Sequence, residues 1–553
     1  MKITKYILVL SLIFGGMQFV SAQENWESDG EIEDVEIEIV KDREITLPKA
    51  NRNFEKIAPI NFSGVKPQLE YSFDNLNLPL PSLNIRVRPL RIKEQPLKKL
   101  YGNYIRAGFG NYITPYFEGF VSSKRSRDML YGAHINFLNS RNGPVDDENS
   151  GSGEFDVEGY GKHFGKKLTV GGDIGYHRRS YNFYGYPENQ EVNEDSLSQN
   201  FNNIHLSGYI ENTDKSSDLN FYTGIQFDYL KDNFSAEESE VQLDFKGSYK
   251  LGGQSTINLR SDLDIISQKD EGLDVKTRNI FRVVPTLTFE YEGFLIDAGF
   301  NVVYENDTLG DSDEIHFFPM ARARYSLSSG FEVQAGIRGD VNKQTLRGFV
   351  ESNPFLAPNS RAFNQYNNFE FFGGIGGSLT SKLGFKAGMS ISSLKNLPLF
   401  INSPEDQSKF LVIYDTGNSE ILNINAQLSY NRNEILRLTL RGDYWGYDTD
   451  ESEEAWHRPN YKISALSTFK LFDKLRFETE AYAIGGIQAL DFNTGEKINL
   501  DAALDLNFMA EYLVSDQFSG WVRLNNIFGQ EYEMLYNYPV RGFQVMIGAT
   551  YSF

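Results

Sequence analysis

The sequence predicts an all-β protein: a transmembrane antiparallel outer-membrane β-barrel of about 22 strands, preceded by an irregular N-terminal extension. Three observations predict it. Apolar and polar residues alternate with period two from residue 99 to 553, short and long connections alternate between these runs, and the chain ends on an aromatic, alternating strand.

The elements follow in chain order. Lys2 and Lys5 precede the apolar run Ile7–Phe14, and Val20-Ser21-Ala22 places small residues before Gln23, so residues 1–22 read as a secretory signal peptide. Residues 23–98 read as an acidic, proline-containing extension. Glu24, Glu27, Asp29, Glu31, Glu33, Asp34, Glu36 and Glu38 repel one another, and Pro59, Pro67, Pro79, Pro81, Pro89 and Pro96 block helices and central strands.

Residues 99–553 form the barrel. Ile257, Leu259, Leu263 and Ile265 alternate with Asn258, Arg260, Asp262 and Asp264; Phe281, Val283, Leu287 and Phe289 alternate with Arg282, Thr286, Thr288 and Glu290. Leu436, Leu438 and Leu440 alternate with Arg437, Thr439, Arg441 and Asp443, and Leu475, Phe477, Ala481 and Ala483 with Arg476, Glu478, Glu480 and Tyr482. Leu500, Leu504, Leu506 and Phe508 alternate with Asp501, Asp505 and Asn507. Sheet edges cannot be left open in hydrocarbon, so such a meander closes, with apolar side chains toward lipid and charged ones toward a wet lumen. Arg260, Asp262, Asp264, Arg282, Arg437, Arg441, Asp443, Arg476, Glu478, Glu480, Asp501 and Asp505 are therefore the candidate lumen residues.

Tight turns are expected near Ser126, Gly165, Lys215, Gly252, Glu292, Ser328, Ser381, Asn431, Asp473 and Ser515. Longer connections are expected around 139–151, 178–200, 231–237, 267–275, 305–313, 342–367, 395–421, 446–458, 485–497 and 529–540. A first hairpin across Gly108-Phe109-Gly110-Asn111 completes the count; one bent strand over 102–123 would lower it. The loops at 342–367 and 395–421 are the recognition candidates by length and mixed polarity, with mobile surface covering as their plain alternative. The acid clusters Asp146, Asp147, Glu148 and Asp448, Asp450, Glu451, Glu453, Glu454 read as solvated charge.

In the last strand Phe543, Val545, Ile547, Ala549, Tyr551 and Phe553 share one face, as befits a strand that enters lipid during assembly. The end of the chain, residues 521–553, resembles that of the TonB-dependent receptors. In that resemblance Asn525, Asn526, Ile527, Phe528 and Tyr532 stand for the penultimate-strand signature. Tyr538 and Pro539 with Arg541 and Gly542 stand for the last-loop signature, in an order reversed from the usual glycine before arginine, and Tyr551-Ser552-Phe553 for the assembly end. Residues 103–128 also look like the first barrel hairpin of receptor-like proteins of Bacteroidetes envelopes. The resemblance implies a folded plug and an energy-coupling box before the barrel. Residues 23–98 offer no plug-sized, glycine-rich domain, and Val35–Val40 reads as charged extended chain.

Composition excludes other classes. At 40% hydrophobic residues, 14% aromatic and a mean hydropathy of −0.42, the chain is too polar for a helical membrane protein. Fifty-four basic against 75 acidic residues give a net charge of −21, which disfavours nucleic acid. Without cysteine there are no disulfides, thiolate sites or lipidated start. His134, His163, His177, His205, His316 and His457 show no metal-binding spacing, and no nucleophile stands out, so no catalytic residue, metal ligand or cofactor is expected. Paired glycines such as Gly171-Gly172 and Gly373-Gly374 read as bends and close contacts. The expected location is the cell outer membrane, with tight turns and extension periplasmic and long loops extracellular. The expected role is a plug-less accessory or scaffold subunit of an envelope complex; the alternative is uptake of a nutrient or metal complex through a regulated lumen. Expected partners are outer-membrane lipid, envelope proteins and a small-molecule ligand at the outer loops.

Overall fold

The computed structural model describes residues 101–553 apart from 125, 188–196, 253, 275–276, 308–313, 329 and 493, together with 70 and 72. The signal peptide and nearly all of the 23–98 extension lie outside the described residues.

One sheet holds 23 strands, all paired antiparallel. The two-residue strand Leu273–Asp274 merely prolongs the pairing of Ser255–Asp270, leaving 22 barrel strands from Asn103–Gly110 to Gln544–Ser552. Closure is direct. The first strand pairs with the last in the register Ala107↔Ala549, Gly108↔Gly548 and Phe109↔Ile547. The first and last strands thus satisfy each other's main-chain edge groups over 104–110 and 546–552, as a lipid-immersed sheet requires.

All ten expected tight turns fall in, or within two residues of, observed short connections. They share one end of the barrel with the start of the first strand and the end of the last; the long connections share the other. The first hairpin turns at Asn111–Ile113, with Tyr112 and Ile113 left-handed at φ 57° and 51°, later than Gly108–Asn111. Gly108 instead permits a close approach, since a Cβ there would lie 2.5 Å from the Trp521 ring, and one on Gly548 2.2 Å from the same ring. The two glycines form a flat inner wall on which Trp521, 3% exposed, lies across the closure seam. Gly548→Ala should therefore weaken closure by about 1–3 kcal/mol. The check is the urea midpoint of the heat-modifiable folded band, which should fall relative to Gly520→Ala, where space is open.

Strand length is uneven. The four strands around the seam (Asn103–Gly110, Thr114–Ser122, Phe518–Asn525 and Gln544–Ser552) have 8 or 9 residues, whereas Glu237–Gly252 and Ser255–Asp270 have 16 each.

The alternation sorts the faces. Ile105, Phe109, Ile174, Ile225, Ile265, Leu440, Leu504, Ile547 and Tyr551 are exposed on the outer surface, while Asp156, Asp228, Asp262, Asp264, Asp443 and Asp505 are buried on the inner one. The outer face is a belt for lipid, so this is an outer-membrane barrel. No helix among the described residues is long and apolar enough to cross a membrane.

Candidate functional site

At the long-loop end the connections do not stand free. Residues 343–364 contain the helix Leu346–Ser352, whose N-cap Thr345 hydroxyl accepts from Gly348 N. Residues 396–418 fold into the hairpin Leu397–Asn402/Phe410–Asp415, and residues 486–502 into Gln488–Asp491/Glu496–Asn499. These apolar stretches cannot cover themselves and pack together. Phe183, Leu197, Phe201, Leu230, Leu346, Phe349, Val350, Phe355, Leu356, Phe410 and Tyr538 are all buried in one cluster. Its members come from long connections spaced around the ring and from the adjoining strand ends at Phe201 and Leu230, so the cluster caps the mouth.

Tyr538 lies at its centre, 3% exposed. Its ring stacks on Phe355 with centroids 3.7 Å apart and meets Tyr184 at 4.7 Å and Phe410 at 5.8 Å. Its hydroxyl donates to the Ser408 carbonyl, and Tyr184 donates to the Pro539 carbonyl at 3.2 Å. Arg541 donates to Ser152 Oγ at 2.9 Å and to the Asn142 carbonyl at 3.2 Å, fastening the last loop to an earlier one. Asn526 Nδ2 donates to the carbonyls of Gln530 (2.8 Å) and Arg541 (2.9 Å). Tyr532 donates to Asp505 at 3.0 Å. Asn525 ends its strand opposite Gln544, and Gly542 lies close to Glu531. Phe528 is exposed on the last loop, and the Tyr551 and Phe553 rings stack outside the wall, 5.9 Å apart.

His457 ties four connections. Its own backbone N–H donates to the Gln488 carbonyl, Nδ1–H donates to the Phe400 carbonyl at 2.8 Å, and Nε2 accepts from Tyr536 N at 3.3 Å. Its ring meets Phe410 edge-on at 5.2 Å. The neighbouring Arg458 donates to the Pro398 carbonyl instead. Burial lowers the His457 pKa from 6.5 to about 4, against the smaller opposing effect of the Phe400 carbonyl. Protonation would set an N–H against the Tyr536 N–H. The closed cap binds this proton more weakly than the open chain, so closure is fully stable above about pH 6.5 and loses about 3 kcal/mol as pH falls to 4. Protease cleavage of the loops should accelerate over that window, and His457→Gln should flatten the profile.

Beneath the cap, the root of 343–364 is clamped to acids on the inner wall. Lys343 Nζ donates to Asp264 at 2.7 Å, to Gln242 Oε1 at 3.1 Å and to Glu240. Burial opposes its charge, and the carboxylates of Asp264 and Glu240 outweigh that, holding its pKa above the usual lysine value. Arg347 donates to Glu240 at 3.1 Å, and the Glu238 carboxylate accepts from Leu346 N and Arg347 N.

Arg282 bridges Asp262 (2.6 Å) and Asp340 (2.8 Å), Asp264 holds Lys343, and Arg441 pairs with Asp443 at 2.8 Å along its strand. Arg476 pairs with Glu478, and Asp505 accepts from Tyr482. Arg476, Glu478 and Glu480 stand opposite Glu511, Met509 and Asn507, on the face that carries Asp505. Arg260 and Arg437 are exposed. Asp501, expected on the lumen wall, is not in a strand. It lies in the connection before Ala503–Leu513, because Leu500 N donates to the Ile487 carbonyl and Leu500 packs with the loop cluster of Ile487 and Tyr532. The acid cluster at 448–454 is partly engaged: Asp450 N and Glu451 N donate to Asp415, and Lys497 pairs with Glu454. Sequence spacing missed Lys343, His457 and Phe355, and it missed the grouping of Glu305, Glu314 and His316, whose ligand atoms lie within 4.8 Å of one another.

No family model and no curated protein matches the sequence. Solved structures do. P. aeruginosa FpvA bound to heterologous pyoverdines aligns at 13% identity and TM-score 0.63, over 83% of this chain and 72% of that one. The FrpB iron transporter from Neisseria meningitidis aligns at 10% and 0.64, over 83% and 82%. The ferric-catecholate import receptor Fiu from K12 E. coli aligns at 9% and 0.62, over 83% and 82%. In fold, the chain is therefore similar to the 22-strand outer-membrane barrels of the TonB-dependent receptors, which its C-terminal residues also resemble.

Proposed function

We propose that the protein is a sealed, receptor-like outer-membrane barrel serving as an accessory or scaffold subunit of a larger envelope assembly. Its tight-turn end faces the periplasm and its capped end faces outward. The observation that supports this reading is the shared buried core of the long connections. At about 25 cal/mol per Å2 of apolar surface, a core built from Phe, Tyr and Leu side chains resists spontaneous opening. A barrel so closed keeps the membrane a barrier without conducting. Gentle detergent extraction should then retain stoichiometric envelope proteins, and the purified barrel should be silent in planar bilayers. Recovery of a lone barrel, or steady single-channel conductance, would sink the scaffold reading.

A second reading is gated uptake of a small molecule or metal complex. The ionic clamp on 343–364 favours it, since Lys343 and Arg347 hold the loop by contacts a competing ligand can replace, and similar folds carry out iron import. Ligand-dependent flux into proteoliposomes would select it over scaffolding.

A further inference from the structure

We infer that Glu305, Glu314 and His316 form a binding site for one divalent first-row transition ion at the rim of the barrel. The site comes from strand register. Glu305 ends the strand Phe294–Glu305, Glu314 opens Glu314–Ser328, and the pairs Glu305↔Glu314 and Val303↔His316 put all three side chains on one face of adjacent strands. That face is the inner one. Asn301 and Val303, four and two residues before Glu305, are 1% and 0% exposed, whereas Ile315 and Phe317 on either side of His316 point outward at 74% and 63%.

The spacing suits an ion. His316 Nε2 lies 3.4 Å from Glu305 Oε1 and 3.6 Å from Glu314 Oε2. Metal–ligand bonds of about 2.0–2.2 Å in a tetrahedron set donor separations of roughly 3.3–3.6 Å. One imidazole and two carboxylates, with a further position open, match zinc and its first-row neighbours better than calcium or magnesium.

The surroundings of Glu305 leave its charge to be balanced within the site. Glu305 is wholly buried, and among the described residues no lysine or arginine pairs with it; its ionic partner is His316, charged only when protonated. A buried carboxylate is ordinarily paired or metal-bound, because its desolvation is costly. Its oxygens are meanwhile fixed from behind: Tyr366 Oη donates to Oε1 at 2.7 Å, while Asn364 Nδ2 and Asp307 N donate to Oε2 at 3.1 and 2.9 Å. This is the supporting layer that orients a ligand. The imidazole is held likewise, stacked on Phe318 and against Tyr366 with centroids 6.0 and 5.0 Å away. Glu314, half exposed, supplies the open side. Because Asn364 ends the 343–364 connection, an ion here stiffens the root of the loop that enters the cap.

The test uses the tag-free full chain in detergent. Zn2+ should bind at one equivalent by equilibrium dialysis, and Co2+ should give the visible absorption of a four-coordinate site. Glu314→Gln should weaken Zn2+ at least tenfold, and His316→Ala should abolish stoichiometric binding, while His163→Ala changes neither. Folding of each variant is read from the heat-modifiable band; if His316→Ala does not fold, Glu314→Gln decides. No stoichiometric binding by the parent chain, or parental affinity in either folded variant, overturns the site.

Discussion

Tyr538→Ala is expected to open the mouth while leaving the barrel closed, at a cost of about 3–5 kcal/mol to the packing of the cap. The phenol is 3% exposed and joins residues from three connections, through Phe355, Tyr184 and Phe410. Removing it leaves a cavity that the surrounding rings cannot fill, since each is also held by its own loop. The wall does not depend on it, because Tyr538 makes no rung of the 22-strand ladder. The variant should keep its heat-modifiable folded band, gain protease cuts in 343–364 and 396–418, and conduct in planar bilayers. Tyr538→Phe keeps the ring and loses the hydroxyl with its bond to Ser408, and should stay nearly closed. A silent, protease-resistant Tyr538→Ala would show that the cap does not rest on this core.

Lys343→Met should be comparably damaging for the opposite reason. It keeps the bulk but removes the ammonium between Glu240 and Asp264, which are 2% and 3% exposed. Breaking one side of a buried ion pair costs about 3–5 kcal/mol, and here the stranded charge is Asp264, left with neither water nor partner, while Glu240 keeps Arg347. Adding Asp264→Asn, which removes the stranded charge and leaves the Arg347–Glu240 pair intact, should recover much of the loss. Thermal release of the 343–364 segment, followed by hydrogen exchange, measures both steps. Additive losses in the double variant would contradict the clamp.

The wall was legible in the sequence because lipid imposes a rule at every second residue, and short turns announce themselves through Gly, Asn, Asp and Ser. Leu438 and Arg441 could be assigned faces without knowing their neighbours. The cap obeys no such local rule. Tyr538 meets Tyr184 and Phe355 across hundreds of residues of chain, and nothing near Lys343 says that its partners are Glu240 and Asp264. Long connections therefore read as surface covering when their Phe and Tyr residues form a core. Asp501 reads as a strand residue because Leu500 continues the alternation by composition, while its backbone is claimed by Ile487. His316 looks isolated in the sequence because its ligand-like neighbours become adjacent only once register is fixed.

The uneven wall carries a consequence for the surrounding bilayer. At about 3.3 Å per residue and a tilt near 45°, an eight- or nine-residue strand rises roughly 20 Å, against a typical apolar band of about 25 Å. The 16-residue strands rise well beyond that band. The extra height of the long strands lies outside the lipid belt, since exposed apolar residues run from Leu243 to Leu251 on one of them and from Phe543 to Phe553 beside the seam. The bilayer thus meets an apolar belt of similar height on both sides, and the far wall stands above the membrane surface where the seam does not.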